Sequence, residues 1–221
     1  MRGVQPIPVS PAEGYALWAA TWDATPSPIV ALEERLLAPR LSGLRARRVI
    51  DAGCGTGRWT ARLRAIGFDL SFAMLELASR KPGLKGRLAV ADAAALPVAS
   101  GAADLVICTL TLGHLRDQRA AMREFARILE PGGTLIVTDF HPQAAARGWR
   151  RTFRHGGRVY ELENHPYTLE GLATPDLVLR HSAEAVIGEL ERAFFEAAGR
   201  PELFDAARGI PAVQLSQWTR A

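Results

Sequence analysis

The spacing of apolar and polar positions changes several times along the chain, and each change marks an element. Ser10, Pro11 and Glu13 supply an N-cap hydroxyl, a proline in the first turn and a carboxylate three residues past the cap. Together they predict a helix from residue 11 to about residue 22. Thr25-Pro26-Ser27-Pro28 breaks it. Ile29, Val30, Leu32, Leu36 and Leu37 then form one broad apolar face over residues 29–38, where Pro39 is expected to end a second helix. Residues 1–45 thus read as a helical cap. From Arg47 the pattern alternates. A short buried strand at Val49-Ile50 leads through a glycine turn to a helix at 58–65 and a strand at 67–70. There follow a helix at 72–80, strands at 87–91 and 104–109, a helix at 118–129 and a strand at 134–139. Such alternation implies a parallel sheet covered by helices on both faces. Residues 141–166 interrupt it with a hairpin turning at His155-Gly156-Gly157, and the tail offers a strand at 177–182, a helix at 189–198 and a strand at 212–218. No repeat or linker divides residues 1–221, so the expectation is a single α/β domain with seven strands in its sheet.

With 48% hydrophobic and 23% charged residues, the composition excludes intrinsic disorder, and 14 Pro and 20 Gly are too few for a fibrous or low-complexity chain. A formal charge of +4 permits an anionic substrate but does not by itself argue for nucleic acid. No apolar run reaches the length of a membrane span, and residues 1–10 lack the apolar core of a signal peptide, so a cytoplasmic protein is expected. Cys54 and Cys108 lie in glycine-rich or apolar stretches and read as reduced thiols, with no metal site implied.

The chemistry starts at Asp51-Ala52-Gly53-Cys54-Gly55-Thr56-Gly57, which follows a strand and opens a helix. Glycines there let backbone approach a ligand and leave amides aimed at an anion. A dinucleotide fingerprint would read G-x-G-x-x-G and a P-loop would carry Gly-Lys-Ser or Gly-Lys-Thr. This loop reads G-x-G-x-G, then Arg58, with an aspartate two residues ahead, and matches neither. Further along stand Gly67-Phe68-Asp69-Leu70-Ser71 with Met74, Ala91-Asp92-Ala93 with Leu96-Pro97, Asp104-Leu105-Val106-Ile107-Cys108 with His114 beyond, and Glu130-Pro131-Gly132-Gly133. In this order the motifs resemble the class I S-adenosylmethionine-dependent methyltransferases, specifically the small ubiquinone-biosynthesis-like and type 11 group. The resemblance is strongest over residues 49–139.

It implies a Rossmann-like fold with an inserted hairpin lid after the fifth strand. It also implies S-adenosylmethionine as cofactor, S-adenosylhomocysteine as product, and a set of binding residues. Asp69 at a strand end would accept from both ribose hydroxyls. Asp92 with Leu70, Met74 and Ala93 would hold the adenine. Asp51 and the amides of Gly53, Cys54, Gly55 and Gly57 would meet the methionine end, with Thr109 beside them. Asp69 follows Asp51 by only 18 positions, fewer than the family usually leaves, so either the helix is short or the second strand is clipped. Tyr15 and Trp22 on the first helix would lie over the sulfonium, or else simply pack on the core.

His114 and His141 follow the fourth and fifth strands and are candidate bases; a packed or solvated histidine is the other reading of each. Arg150, Arg151 and Arg154 make the insert basic and suggest an anionic acceptor or an acidic carrier; a solvated charged hairpin is the alternative. The expected activity is methyl transfer to a small, anionic molecule, with methyl esterification of an acyl group on a carrier protein as the alternative. A non-catalytic cofactor-binding module is a rival. A nucleic-acid methyltransferase is another, but the Asn/Asp-Pro-Pro-aromatic motif it usually carries is missing, and neither nucleic acid nor membrane is expected as a partner.

Overall fold

The computed structural model describes residues 5–221; residues 1–4, part of the stretch read for a leader, lie outside it. The chain opens with β1 (Ile7–Val9), α1 (Pro11–Trp22) and α2 (Pro28–Ser42). It continues through β2 (Val49–Ala52), α3 (Arg58–Leu63), β3 (Ile66–Asp69), α4 (Phe72–Ser79), β4 (Leu88–Val90), β5 (Ala103–Thr109), α5 (Gln118–Ile128) and β6 (Leu129–Phe140). It ends with α6 (Pro142–Ala146), β7 (Thr152–His155), β8 (Arg158–Leu162), β9 (Leu177–Val186), α7 (Arg192–Ala197), α8 (Glu202–Ala207) and β10 (Pro211–Arg220).

Seven strands form one sheet in the order β4-β3-β2-β5-β6-β10-β9. Neighbours from β4 to β6 are parallel, and β10 is antiparallel to both β6 and β9. Along β5 the side chains alternate between the two faces. Val106 and Cys108 pack with Met122, Phe125 and Ile128 of α5, while Leu105 and Ile107 pack with Leu37 and Leu41 of α2 and Trp59 of α3. Burial on both faces is why the strand reads as a continuous apolar run. The sheet order reverses direction at β2, which pairs with β3 on one side and β5 on the other. A crevice opens beyond the strand ends at such a reversal.

Several elements differ from expectation. Pro39 lies inside α2 and does not end it; burial of Leu37 and Leu41 against the sheet holds the last turn despite the missing N–H. The helix expected at 189–198 is a 3₁₀ turn followed by α7. Too short to show a period, β1 joins the predicted hairpin as a second, three-stranded sheet in the order β1-β8-β7. That hairpin grips α1. Trp18 stacks on Phe153 at 4.7 Å, Phe153 on Tyr160 at 5.4 Å, and Gly14 sits so close to β8 that a Cβ would fall 2.2 Å from the Leu162 side chain.

Candidate active site

The loop after β2 sits at the reversal point and borders a cavity of about 850 Å³. Two of its glycines are needed for different reasons. At Gly53 (φ +78) an added Cβ would fall 2.3 Å from the Thr111 methyl, because Thr111 closes on the loop and donates its hydroxyl to the Gly53 carbonyl at 3.1 Å. At Gly55 (φ +53) a Cβ would meet no atom within 4 Å. Its empty side is open space on the loop that borders the cavity, so this glycine leaves room for a ligand. Gly57 faces Leu84 and Ala78, behind the loop.

Asp69 ends β3. Its carboxylate accepts from the Gly55 amide at 2.7 Å and the Ser71 amide at 2.8 Å, and burial raises its pKa against the pull of those amides. The short spacing from Asp51 comes from the helix: α3 has six residues, and Arg64 turns into the left-handed region (φ 53) to start β3 at once. The second strand therefore keeps Asp69 on the cavity wall. Leu70 beside it is 58% exposed, an apolar surface that a ligand ring could cover. Met74, Asp92, Ala93, Cys54 and Thr109 line the same cavity, as do Tyr15, Trp22 and His114. Asp92 caps its own turn by accepting from the Ala94 amide at 2.9 Å.

Asp51 is placed elsewhere. Only 1% exposed, it lies under the loop and accepts from the Thr60 hydroxyl at 2.6 Å, leaving its other oxygen without a partner. Burial pushes its pKa up to about 7, against that hydrogen bond. A carboxyl that binds its proton more tightly folded than unfolded adds stability at low pH and loses it as pH rises from about 4 through about 7. Replacing Asp51 by Asn should flatten this trend. Urea unfolding at about pH 4.5 and about pH 7.5 should show the wild type losing roughly 3 kcal/mol more than the variant over that interval. Equal slopes would mean that the carboxyl stays ionised in the fold.

His114 belongs to a buried polar network. Its Nδ1 faces the Glu163 carbonyl at 2.9 Å, which makes that nitrogen the donor and leaves Nε2 to accept from the Tyr15 hydroxyl at 2.9 Å and Arg151 at 2.9 Å. Burial and the neighbouring Arg151 hold its pKa down to about 3. A ring so poor at taking a proton serves to orient the Tyr15 hydroxyl. Burial in turn pushes the Tyr15 pKa up to about 12, so the phenol stays protonated. Arg151 donates to the Leu110 carbonyl at 2.6 Å and forms an ion pair with Asp139, while Leu110 takes the left-handed conformation (φ 54) that presents this carbonyl. Asp139 also accepts from the amides of Gly113 at 2.5 Å and Phe140 at 2.7 Å.

His141, Arg150, Arg151 and Arg154 do not line the cavity. His141 caps α6, accepting from the Gln143 amide at 3.1 Å and donating to Glu184 at 3.0 Å. Arg150 folds back on the carbonyls of Ala145 and Trp149 at 3.1 and 2.9 Å, within 3.4 Å of Glu161. Arg154 is exposed on β7. The hairpin thus buttresses α1 and does not present three arginines to one ligand. Two residues that the sequence reading passed over matter more. Glu33 is buried and accepts from Arg58 at 2.5 Å, the Trp59 indole at 3.1 Å and the Thr138 hydroxyl at 3.1 Å. Asp23 takes Thr56 at 2.6 Å and Lys81 at 2.7 Å, latching the end of α1 to the glycine loop. An acid inside the apolar face of α2 was the available signal for the first; Asp23 had none.

The sheet order, the glycine turn at its reversal point and an acid at the next strand end define a class I methyltransferase fold. Residues 50–137 match the family model of a methyltransferase domain, the type 11 group. It is 37% identical over 140 residues to a malonyl-[acyl-carrier protein] O-methyltransferase of Hahella chejuensis, covering 60% of this chain and 50% of that one. It is 36% identical over 106 residues to a demethylmenaquinone methyltransferase of Thermus thermophilus, covering 43% and 48%. The chain thus spans about half the length of these curated relatives. A crystal structure of an S-adenosylmethionine-dependent methyltransferase from Mesorhizobium loti shares the fold, with a TM-score of 0.64, 22% identity, and coverage of 86% of this chain and 98% of that one.

Proposed function

We propose that the protein transfers a methyl group from S-adenosylmethionine to a small molecule. The observation that carries this reading is the convergence of the open edge of Gly55, the Asp69 carboxylate and the exposed apolar face of Leu70 on one cavity at the sheet reversal. Its size is that of a small-molecule site. Asp69 has lone pairs beyond those given to Gly55 and Ser71 and would hold the ribose hydroxyls. Leu70, Met74 and Ala93 would flank the adenine, with Asp92 at its edge, and the loop amides would face the carboxylate of the methionine end. Bound there, S-adenosylmethionine supplies a methyl carbon already activated by a positive sulfur. The chain's task is then alignment and exclusion of water. Tyr15, Trp18 and Trp22 wall off the cavity, and the neutral His114 fixes the Tyr15 hydroxyl.

Isothermal titration tests the reading. Wild type should bind S-adenosylhomocysteine in preference to NAD, and Asp69→Ala should weaken it by roughly 1.5 to 3 kcal/mol, about tenfold to somewhat over a hundredfold. Unchanged affinity would show that another group holds the ribose. Similarity to the malonyl-[acyl-carrier protein] enzyme supports a second reading, methyl esterification of an acyl group on a carrier protein. Incubation with a malonyl-loaded carrier and labelled methyl donor separates the two. The reading takes residues 1–221 as one domain acting in the cytoplasm without a nucleic-acid partner. Cys54 and Cys108, both buried and free, are in keeping with a reducing compartment. Among the described residues no helix is long and apolar enough to cross a membrane.

A further inference from the structure

Beside the donor cavity lies a second chamber of about 450 Å³. The two share Tyr15, Trp18, Trp22, Ser27, Val30 and Leu110 as a common wall. The far side of the chamber is built from Phe140, Trp149, Phe195 and Leu203. Two pairs of its aromatic rings meet at steep angles, while Tyr15 and Trp18 lie nearly parallel at 7°. Trp18 and Trp22 are 4.6 Å apart at 79°, and Tyr15 and Trp22 are 5.4 Å apart at 76°. Both the faces and the edges of rings are therefore on offer, an arrangement suited to stacking and edge contacts with another flat ring.

The charge in this chamber is already spent. Arg151 is paired with Asp139, and Arg150 is turned on to two backbone carbonyls and Glu161. Among the described residues no carboxylate lines the walls. A carboxylate or phosphate entering it would lose its hydration without gaining an unpaired cation, whereas a neutral ring would lose little and bury its faces. The Tyr15 hydroxyl stands at the boundary between the two cavities. Donating to His114 Nε2 leaves its oxygen able to accept a hydrogen bond from a ligand hydroxyl.

We propose that this chamber holds the methyl acceptor and that the acceptor is a neutral, planar aromatic compound bearing a hydroxyl group. Its role as acceptor rests on the methyl-donor reading above, while its binding chemistry rests on the chamber alone. In the transfer, the nucleophilic atom of the acceptor forms the new bond to the methyl carbon as the carbon–sulfur bond breaks. That electron pair goes to sulfur, giving the neutral thioether, and the acceptor proton passes to water.

The test compares 2-naphthol with 2-naphthoate, which share a ring system and differ in charge near neutral pH. Fluorescence titration, with and without S-adenosylhomocysteine, should show 2-naphthol bound at least about tenfold more tightly than 2-naphthoate. Ala206→Trp, which fills the chamber from α8, should weaken 2-naphthol by about tenfold or more and leave S-adenosylhomocysteine affinity unchanged. Leu203→Asp, at an exposed site on the same wall, should have the same effect if the first variant fails to fold. Equal or reversed preference for 2-naphthoate, no binding of 2-naphthol by wild type, or 2-naphthol affinity untouched by the folded variants would each overturn the proposal. If 2-naphthol binds as expected but S-adenosylhomocysteine does not, the chamber stands as an aromatic site and the methyl-donor reading falls.

Discussion

Replacing Arg151 by Ala should destabilise the protein by about 3 kcal/mol or more, the usual result of removing one partner from a buried ion pair. The cost arises on the acid left behind. Asp139 is 1% exposed and would keep only the amides of Gly113 and Phe140 and a long contact to Tyr167 at 3.4 Å. The Leu110 carbonyl would lose its donor as well. Arg150→Ala and Arg154→Ala should each stay within about 0.5 kcal/mol, because their side chains are exposed. Chemical denaturation of the three variants separates these outcomes. A double variant, Arg151→Met with Asp139→Asn, should recover part of the loss, since no net charge remains buried. If Arg151→Ala instead keeps full stability and only raises KM for an acidic substrate, the arginine belongs to an anion site after all.

The other large effect is expected at Gly55. Gly55→Val should fold, with a penalty of about 1 to 2 kcal/mol for forcing a branched residue into the left-handed region. It should lose S-adenosylhomocysteine binding by at least about a hundredfold, because the new side chain would project into the space that the ligand needs. Gly53→Val makes an instructive contrast. Its side chain would collide with Thr111 inside the protein, so it should lose stability before binding can be assessed. Circular dichroism melts paired with calorimetric titration of both variants check the distinction. Ligand affinity within a few-fold of wild type for a folded Gly55→Val would place the cofactor elsewhere.

The sheet could be read from the sequence because each central strand is buried on both faces and each is followed by turn chemistry. Val49-Ile50 with its glycine loop, and residues 104–109, left little choice of element. Residues whose positions depend on a nearby strand end were legible too. The glycines, Asp69 and Leu70 sit within a few positions of a strand end, and that fixes their place. What could not be read were pairings over long separations. Nothing local to Arg151 says that Asp139 neutralises it, and nothing local to His114 says that Arg151 and burial strip it of basicity. The same holds for His141, whose neighbour Glu184 comes from β9, 43 positions on. Charge counted along a segment overstates what reaches a ligand, because folding spends part of that charge on partners the segment does not contain.

The two cavities also draw on different parts of the chain. The glycine loop and Asp69 lie within residues 50–137, the stretch that matches the family model, whereas the lining of the aromatic chamber comes from α1, α2, the last residue of β6, the chain from α6 into β7 and the segment carrying α7 and α8, with Leu110 the one contribution from the matched stretch. A transplant of residues 141–210 between relatives, which leaves α1 and the Asp23 latch on the glycine loop in place, would be expected to shift acceptor preference and keep S-adenosylhomocysteine affinity.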